Sequence, residues 1–211
     1  MMLQMNDRPV TTRLTPDGFV RITGVSRETL TRLQAYVHLL TAWNRRINLV
    51  SPNTIGDVWR RHILDSAQLA PLLPAGTRVV VDIGSGAGLP GLVLAILGVP
   101  QVHLIESDQR KAAFLREAQR MTDAPVTIHA QRVEQIPPLI ADAVVARAVA
   151  PVDKLLLMVD KFCGNHTICL FLKGKTVEEE LTHLPPALKM RARIVTSRSD
   201  PTGRILCFGG S

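Results

Sequence analysis

Val79-Val80-Val81-Asp82-Ile83-Gly84-Ser85-Gly86-Ala87-Gly88-Leu89-Pro90-Gly91 is the stretch whose reading decides the fold. Three β-branched residues in succession read as a buried strand, the glycines as a tight turn, and Leu92–Leu97 as a helix packed on the sheet. A strand that breaks into a glycine turn at the start of a helix brings bare backbone close to a ligand. From Thr77 onward strand and helix alternate, the pattern of a largely parallel sheet. Further strands are expected at Val102–Glu106, Val126–His129, Asp142–Ala146 and Ile168–Leu172. Helices are expected at Lys111–Arg120, Leu155–Phe162 and Val177–Leu184. Two closing strands, Arg193–Thr196 and Ile205–Phe208, flank Asp200-Pro201-Thr202-Gly203, a strong β-turn signal, so they are expected to pair antiparallel.

Upstream of this unit the pattern is helical. Ser26 is a candidate N-cap for a helix carrying Leu30, Leu33, Val37, Leu40, Trp43 and Ile47, spaced by three and four. A second helix is expected from about Thr54 to Leu72, with Ile55, Val58, Trp59, Ile63 and Ala67 inward, before Leu73-Pro74-Ala75-Gly76 breaks it. Residues 1–75 thus read as a lead-in and helical cap, and residues 76–211 as an α/β domain integrated with it. Met1–Arg21 is polar, contains Pro9 and Pro16, and reads as a loose lead-in without a signal-peptide core.

Composition narrows the class. Of 211 residues 46% are hydrophobic, enough for a real core, yet no apolar run approaches the ~20 residues that span a bilayer. Cys163, Cys169 and Cys207 are odd in number and set in apolar segments. They read as reduced core residues of a cytoplasmic protein, and the six histidines show no metal-ligand spacing. The net charge of +7 favours a polyanionic partner, and nine arginines against four acids in residues 1–62 concentrate it. Arg45-Arg46 and Arg60-Arg61 point to a phosphate-facing surface.

The glycines alone leave the cofactor open, because Gly86-Ala87-Gly88-Leu89-Pro90-Gly91 also satisfies the dinucleotide pattern G-x-G-x-x-G. Asp82 separates the readings. A carboxylate at the strand end suits the ammonium and sulfonium of S-adenosyl-L-methionine and repels a pyrophosphate. Ligands of an open parallel sheet bind beyond the carboxyl ends of its strands. There Gly84, Gly86 and Gly88 would admit the methionine end, Glu106 the two ribose hydroxyls, and Val133-Glu134 the adenine. Arg147, between alanines at the end of the fourth strand, is expected to face the cleft, since burial would leave its charge without a partner. Lys173 ends the fifth strand and reads as a contact for a backbone phosphate.

What is missing is consistent with one class of acceptor. Methylation at cytosine carbon five needs a covalent Cys, and no Pro-Cys dipeptide occurs. The acceptor tetrapeptide of exocyclic-amine methylation is replaced by Arg147-Ala148-Val149-Ala150. Guanine N7 offers a lone pair with no proton to remove, so alignment supplies most of the catalysis. Arg147 is then expected as a positioning group with no general base, and Arg147 or Lys173 is expected to hold O6 or a phosphate.

Taken together, Trp43-Asn44-Arg45-Arg46-Ile47-Asn48-Leu49, Arg61-His62-Ile63-Leu64-Asp65-Ser66, the glycine loop, Arg132-Val133-Glu134, Arg147-Ala148 and Lys173-Gly174 resemble one family. It is that of the bacterial 16S ribosomal RNA guanine-N7 methyltransferases, the GidB family. The resemblance implies a Rossmann-like class I S-adenosylmethionine-dependent fold and a guanine N7 near the decoding site as acceptor. It implies 16S ribosomal RNA or the small ribosomal subunit as partner; no membrane is expected from the lack of a long apolar run, and no stable protein partner is implied. Carried over by position, its cofactor contacts fall on Gly84, Leu89, Val133, Glu134 and Arg147, of which Leu89 comes from the resemblance alone. Ala146 stands where the family usually has Ser. Arg61 and Asp65, four apart, are expected to share a helix face as an ion pair or to line an RNA entrance with His62. The rival readings are a small-molecule methyltransferase, a nucleotide-dependent oxidoreductase and an RNA-binding assembly factor with a vestigial pocket.

Overall fold

In a computed structural model, which describes residues 9–209, the chain folds as a seven-stranded sheet flanked by helices. The strands are β1 (Val79–Ile83), β2 (Gln101–Ile105), β3 (Val126–His129), β4 (Ala143–Arg147), β5 (Ile168–Lys173), β6 (Arg193–Thr196) and β7 (Arg204–Phe208). Their order is β3-β2-β1-β4-β5-β7-β6. The first five are parallel, whereas β7 runs antiparallel to both β5 and β6. Gly203 N donates to Asp200 O at 3.0 Å, closing the expected turn between the last two strands. The strand order reverses between β1 and β4, so a crevice opens at their carboxyl ends.

The helices that follow these strands are α5 (Gly91–Ile96), α6 (Gln109–Thr122), α7 (Val152–Val159), α8 (Val177–Thr182) and α9 (Pro186–Lys189). Ahead of the sheet come α1 (Pro16–Thr23), α2 (Arg27–Asn44), α3 (Pro52–Ile55) and α4 (Asp65–Ala67). Ser26 caps α2, its hydroxyl accepting from Thr29 N at 3.1 Å. α2 stops at Asn44, short of Ile47 in the expected stripe, where the Asn44 side chain accepts from Leu49 N and Val50 N, each at 2.9 Å. Tyr36 of α2 is fully buried and donates to Ala87 O at 2.7 Å, tying the cap to the glycine loop.

Three expectations for the cap need correction. Of the loose lead-in Met1–Arg21, residues 1–8 lie outside the described residues, but Pro16–Thr23 is helical. Thr15 caps it, and Phe19 is fully buried with its ring centroid 5.5 Å from that of Trp59. The short polar segment masks one apolar anchor, and burying a Phe is worth about 2–3 kcal/mol. The helix expected over residues 54–72 is broken into α3, a π-helical turn at Trp59–Leu64, α4 and a 3₁₀ turn at Ala70–Leu72. The widened π turn shifts the faces, so Arg61 and Asp65 do not pair with each other.

Candidate functional site: two clefts at the carboxyl ends of the strands

The glycine loop is shaped by three residues in the left-handed region: Gly84 at φ 64°, Gly86 at φ 57° and Gly88 at φ 83°. Only glycine takes this backbone without strain. The loop is fastened at its base, with Ser85 N donating to Ile105 O at 2.9 Å and Gly86 N to Glu106 Oε2 at 2.9 Å. Gly84 sits close beneath the chain after β4, since a Cβ there would lie 2.7 Å from Val149 Cγ2.

Between the loop and the ends of β1 and β2 lies a cleft of about 150 Å³, lined by Gly84, Glu106, Val133, Glu134, Val149 and Met158 among others. Four expected cofactor residues, Gly84, Glu106, Val133 and Glu134, therefore meet in one space. Glu106 holds its own backbone as well: Oε1 accepts from Asp108 N at 2.7 Å and Oε2 from Gly86 N. Each carboxylate oxygen keeps a second lone pair for a ligand.

Asp82 is not in this cleft. It is fully buried, and Oδ2 accepts from Gly91 N at 2.9 Å, while Oδ1 has no partner among the described residues. A Cβ on Gly91 would come within 2.7 Å of Oδ2, so the carboxylate and the first turn of α5 are packed without spare room. Burial pushes the Asp82 carboxyl up to about 7, against the opposing hydrogen bonds from Gly91 and Ser85. The expected cation contact at Asp82 is thus corrected to a strut beneath the loop. Gly88 and Leu89 are also turned inward: a Cβ on Gly88 would lie 2.8 Å from Leu92 Cβ, and Leu89 is buried in the core. Gly86 is the glycine with room above it, since a Cβ there would meet nothing nearer than Gly84 O at 3.8 Å.

A second cleft, of about 280 Å³, opens beside the ends of β4 and β5, with Arg61, His62, Asp65, Arg147, Asp200 and Arg204 among its walls. Ala148 lines this cleft and Val149 the first, so consecutive residues separate the two. Ala148 is held at φ 53°, an uncommon conformation for a residue with a Cβ. Arg147 Nη1 lies 3.0 Å from His62 Nδ1, 3.4 Å from Asp65 Oδ2 and 3.5 Å from Arg61 O. An arginine only donates, so His62 accepts at Nδ1 and carries its proton on Nε2, which lies 2.8 Å from Thr54 Oγ1. Burial, followed by the Arg147 and Arg61 charges, lowers the His62 imidazole to about 3 and keeps it neutral. Asp65 Oδ1 accepts from Ser199 Oγ at 2.5 Å, and Asp200 pairs with Arg61.

Among the residues expected to meet RNA, only Arg45 and Arg46 are exposed. Arg60 is paired with Asp57 at 2.6 Å and donates to Ser199 O at 2.7 Å. Arg61 is bound to Asp200, and His62 is 5% exposed. Lys173, its side chain 9% exposed, is paired with Glu180 at 2.7 Å and donates to Ala150 O at 3.0 Å. These four are corrected from free RNA contacts to partnered groups; Arg61, His62 and Lys173 still border the second cleft. Asp200, Ser199 and Arg204 had no place in the sequence reading of the site. The only trace of them was the turn signal around Asp200.

A family model, GidB, described as rRNA small subunit methyltransferase G, matches residues 29–200. The chain belongs to the GidB family. It is 60% identical over 183 residues to the ribosomal RNA small subunit methyltransferase G of Rhodospirillum centenum, covering 87% of this chain and 85% of that one. To the protein of the same name from Paramagnetospirillum magneticum it is 52% identical over 191 residues, or 90% of this chain and 93% of that one. Among solved structures, a mutant of MtNAS superposes with a TM-score of 0.56 at 16% identity, over 94% of this chain and 83% of that one. M. jannaschii TYW2 in complex with AdoMet gives 0.52 at 16% identity, over 77% of each chain. At such identities the likeness is of fold alone, a Rossmann-like α/β sheet. Membership in the GidB family makes this protein a ribosomal RNA methyltransferase.

Proposed function

We propose that the protein transfers a methyl group from S-adenosyl-L-methionine to N7 of a guanine in 16S ribosomal RNA near the decoding site, acting on the RNA or the small subunit. The observation that carries this reading is the pair of clefts separated only by Ala148-Val149, in a member of the GidB family. The first cleft fits the methyl donor by its donor set. Gly84 presents bare backbone, Glu106 offers lone pairs to ribose hydroxyls, Glu134 an acceptor to an exocyclic amine, and Val133, Val149 and Met158 apolar walls to a purine. The bound donor supplies an electrophilic methyl group on a sulfonium.

In the second cleft Arg147 donates to O6 or a phosphate of the acceptor nucleotide. Asp65 and neutral His62 hold the guanidinium in place and compete for none of the guanine's N7 lone pair. No proton leaves N7 on attack, so this chain needs to orient two partners and to exclude water. Arg45 and Arg46 add sequence-independent attraction to the RNA backbone.

The test is transfer of tritium from labelled donor to bare 16S RNA, to small ribosomal subunits and to small molecules, with the modified base mapped by mass spectrometry. Label at guanine N7 of 16S RNA is expected. Label confined to small molecules, or tight RNA binding with no label at all, would replace this reading by one of its rivals.

A further inference from the structure

Cys163 and Cys169 read from the sequence as separate core residues, yet the fold brings their sulfurs to 3.7 Å. Cys169 is in β5, and Cys163 follows the 3₁₀ turn Asp160–Phe162 that ends α7. Both line an open cleft of about 550 Å³ with Leu156, Leu188 and Phe208. Cys163 is half-buried and Cys169 5% exposed, so a small reagent reaches the pair through Cys163. The Cys169 thiol donates to Cys163, which lowers the Cys163 thiol from its ordinary value and raises that of Cys169. As the more accessible of the two sulfurs, Cys163 is the attacking one and Cys169 the resolving one.

A mechanical link joins this pair to the first cleft. Lys161, two residues before Cys163, donates to Val133 O at 2.5 Å and Ile136 O at 2.8 Å. Those bonds hold the turn whose Val133 and Glu134 line the proposed cofactor site. The Cys163 thiol is itself anchored on α7, donating to Val159 O at 3.3 Å, one residue from the cleft-lining Met158. Forming a disulfide requires the sulfurs to close to about 2.0 Å, which breaks the bond to Val159 and draws the 160–163 turn toward β5.

We propose that Cys163 and Cys169 are a site of reversible two-electron oxidation by low-molecular-weight disulfides, and that the bond loosens the Val133–Ile136 turn through Lys161. The Cys163 thiolate attacks one sulfur of the small disulfide and expels the other as a thiolate. Cys169 then loses its proton, attacks the mixed disulfide at Cys163 and expels the second small thiol. One small disulfide is reduced to two thiols, and the protein loses two hydrogens. Transient, regulatory bonds of this kind are the form disulfides take in reducing compartments. The effect on methyl transfer rests on the cofactor reading above, whereas the bond and the turn do not.

The test treats the full chain with oxidised glutathione, alkylates the remaining thiols and maps the peptides. An intramolecular Cys163–Cys169 link is expected, with Cys207 alkylated and the link removed by dithiothreitol. Hydrogen exchange of residues 132–137 is expected to rise on oxidation, and affinity for S-adenosylhomocysteine to fall about 5-fold or more. Cys163→Ser is expected to abolish all three responses and Cys207→Ser to leave them intact. No link, a link to Cys207, or a link with unchanged exchange at 132–137 overturns the proposal. Reduced protein that fails to bind S-adenosylhomocysteine counts against the cofactor reading instead, and the exchange measurement then decides this one.

Discussion

Beside β1 and β2 the cleft is shaped by glycine backbone and apolar side chains with Glu106 and Glu134 at its wall, whereas beside β4 and β5 the walls are mostly charged groups held by partners from distant segments. The first cleft owes its shape to glycines at positive φ and to NH groups capped by Asp82 and Glu106. The second depends on Arg147 meeting Asp65 across 82 residues of chain, and on Asp65 meeting Ser199 across 134. Sterics build one and paired charge the other, so the two are expected to fail under different insults.

The largest contrast is in pH. Asp82 has its folded carboxyl raised from 3.8 to about 7, so the folded state keeps a proton that the unfolded chain releases. Stability supplied by the neutral form is complete below 3.8 and is lost as pH rises to about 7, on the order of 4 kcal/mol at most. His62 is lowered from 6.5 to about 3, so its neutral form stabilises fully above 6.5, and that contribution is lost as pH falls toward 3. Thermal melts across this range should show Asp82→Asn flattening the loss toward neutral pH and His62→Asn flattening the loss toward acid. Identical pH profiles for both variants and the parent would erase the distinction between the clefts.

Next in size is Arg147→Ala. Turnover is expected to fall about 100-fold through misplacement of the acceptor, with affinity for S-adenosylhomocysteine nearly unchanged. A matching loss of that affinity would move Arg147 to the first cleft. Gly91→Ala drives a Cβ to 2.6 Å from Leu104 Cδ2 and 2.7 Å from Asp82 Oδ2. It is expected to cost about 1–3 kcal/mol in denaturant unfolding, the usual penalty of overpacking. A stability equal to the parent's would show that the strut has slack. Smallest is the double reversal of Arg45 and Arg46 to Glu, exposed beyond both clefts. The slope of log affinity for RNA against log salt is expected to flatten by about 2. An unchanged slope would take this surface off the RNA path.

The glycine loop, the parallel strands and the strand-end positions of Gly84, Glu106, Val133 and Glu134 were legible because each follows from local sterics and from the rule that a parallel sheet binds at its carboxyl ends. Asp82 misled for the opposite reason. Its place before the glycines says it lies near the ligand, but only packing shows that Gly91 turns the carboxylate inward. The ion pair read for Arg61 and Asp65 failed because a helical wheel assumes α-helix and the π turn over Trp59–Leu64 widens that wheel, while both residues still border the second cleft with His62. The six-residue spacing of Cys163 and Cys169 says nothing of contact until the 160–162 turn folds back beside β5.

The sequence by itself determined the strands, the alternation of strand and helix after Thr77, the antiparallel end of the sheet and the loop that cradles a ligand. All of these rest on interactions between residues a few positions apart. Tertiary structure alone decided which charges are free and which are spent. Arg60, Arg61 and Lys173 find partners in Ser199 O, Asp200 and Glu180, and Arg45 and Arg46 stay exposed. An ion pair depends on a few ångströms in space and, unlike a turn or a helical stripe, leaves no periodic mark on the chain.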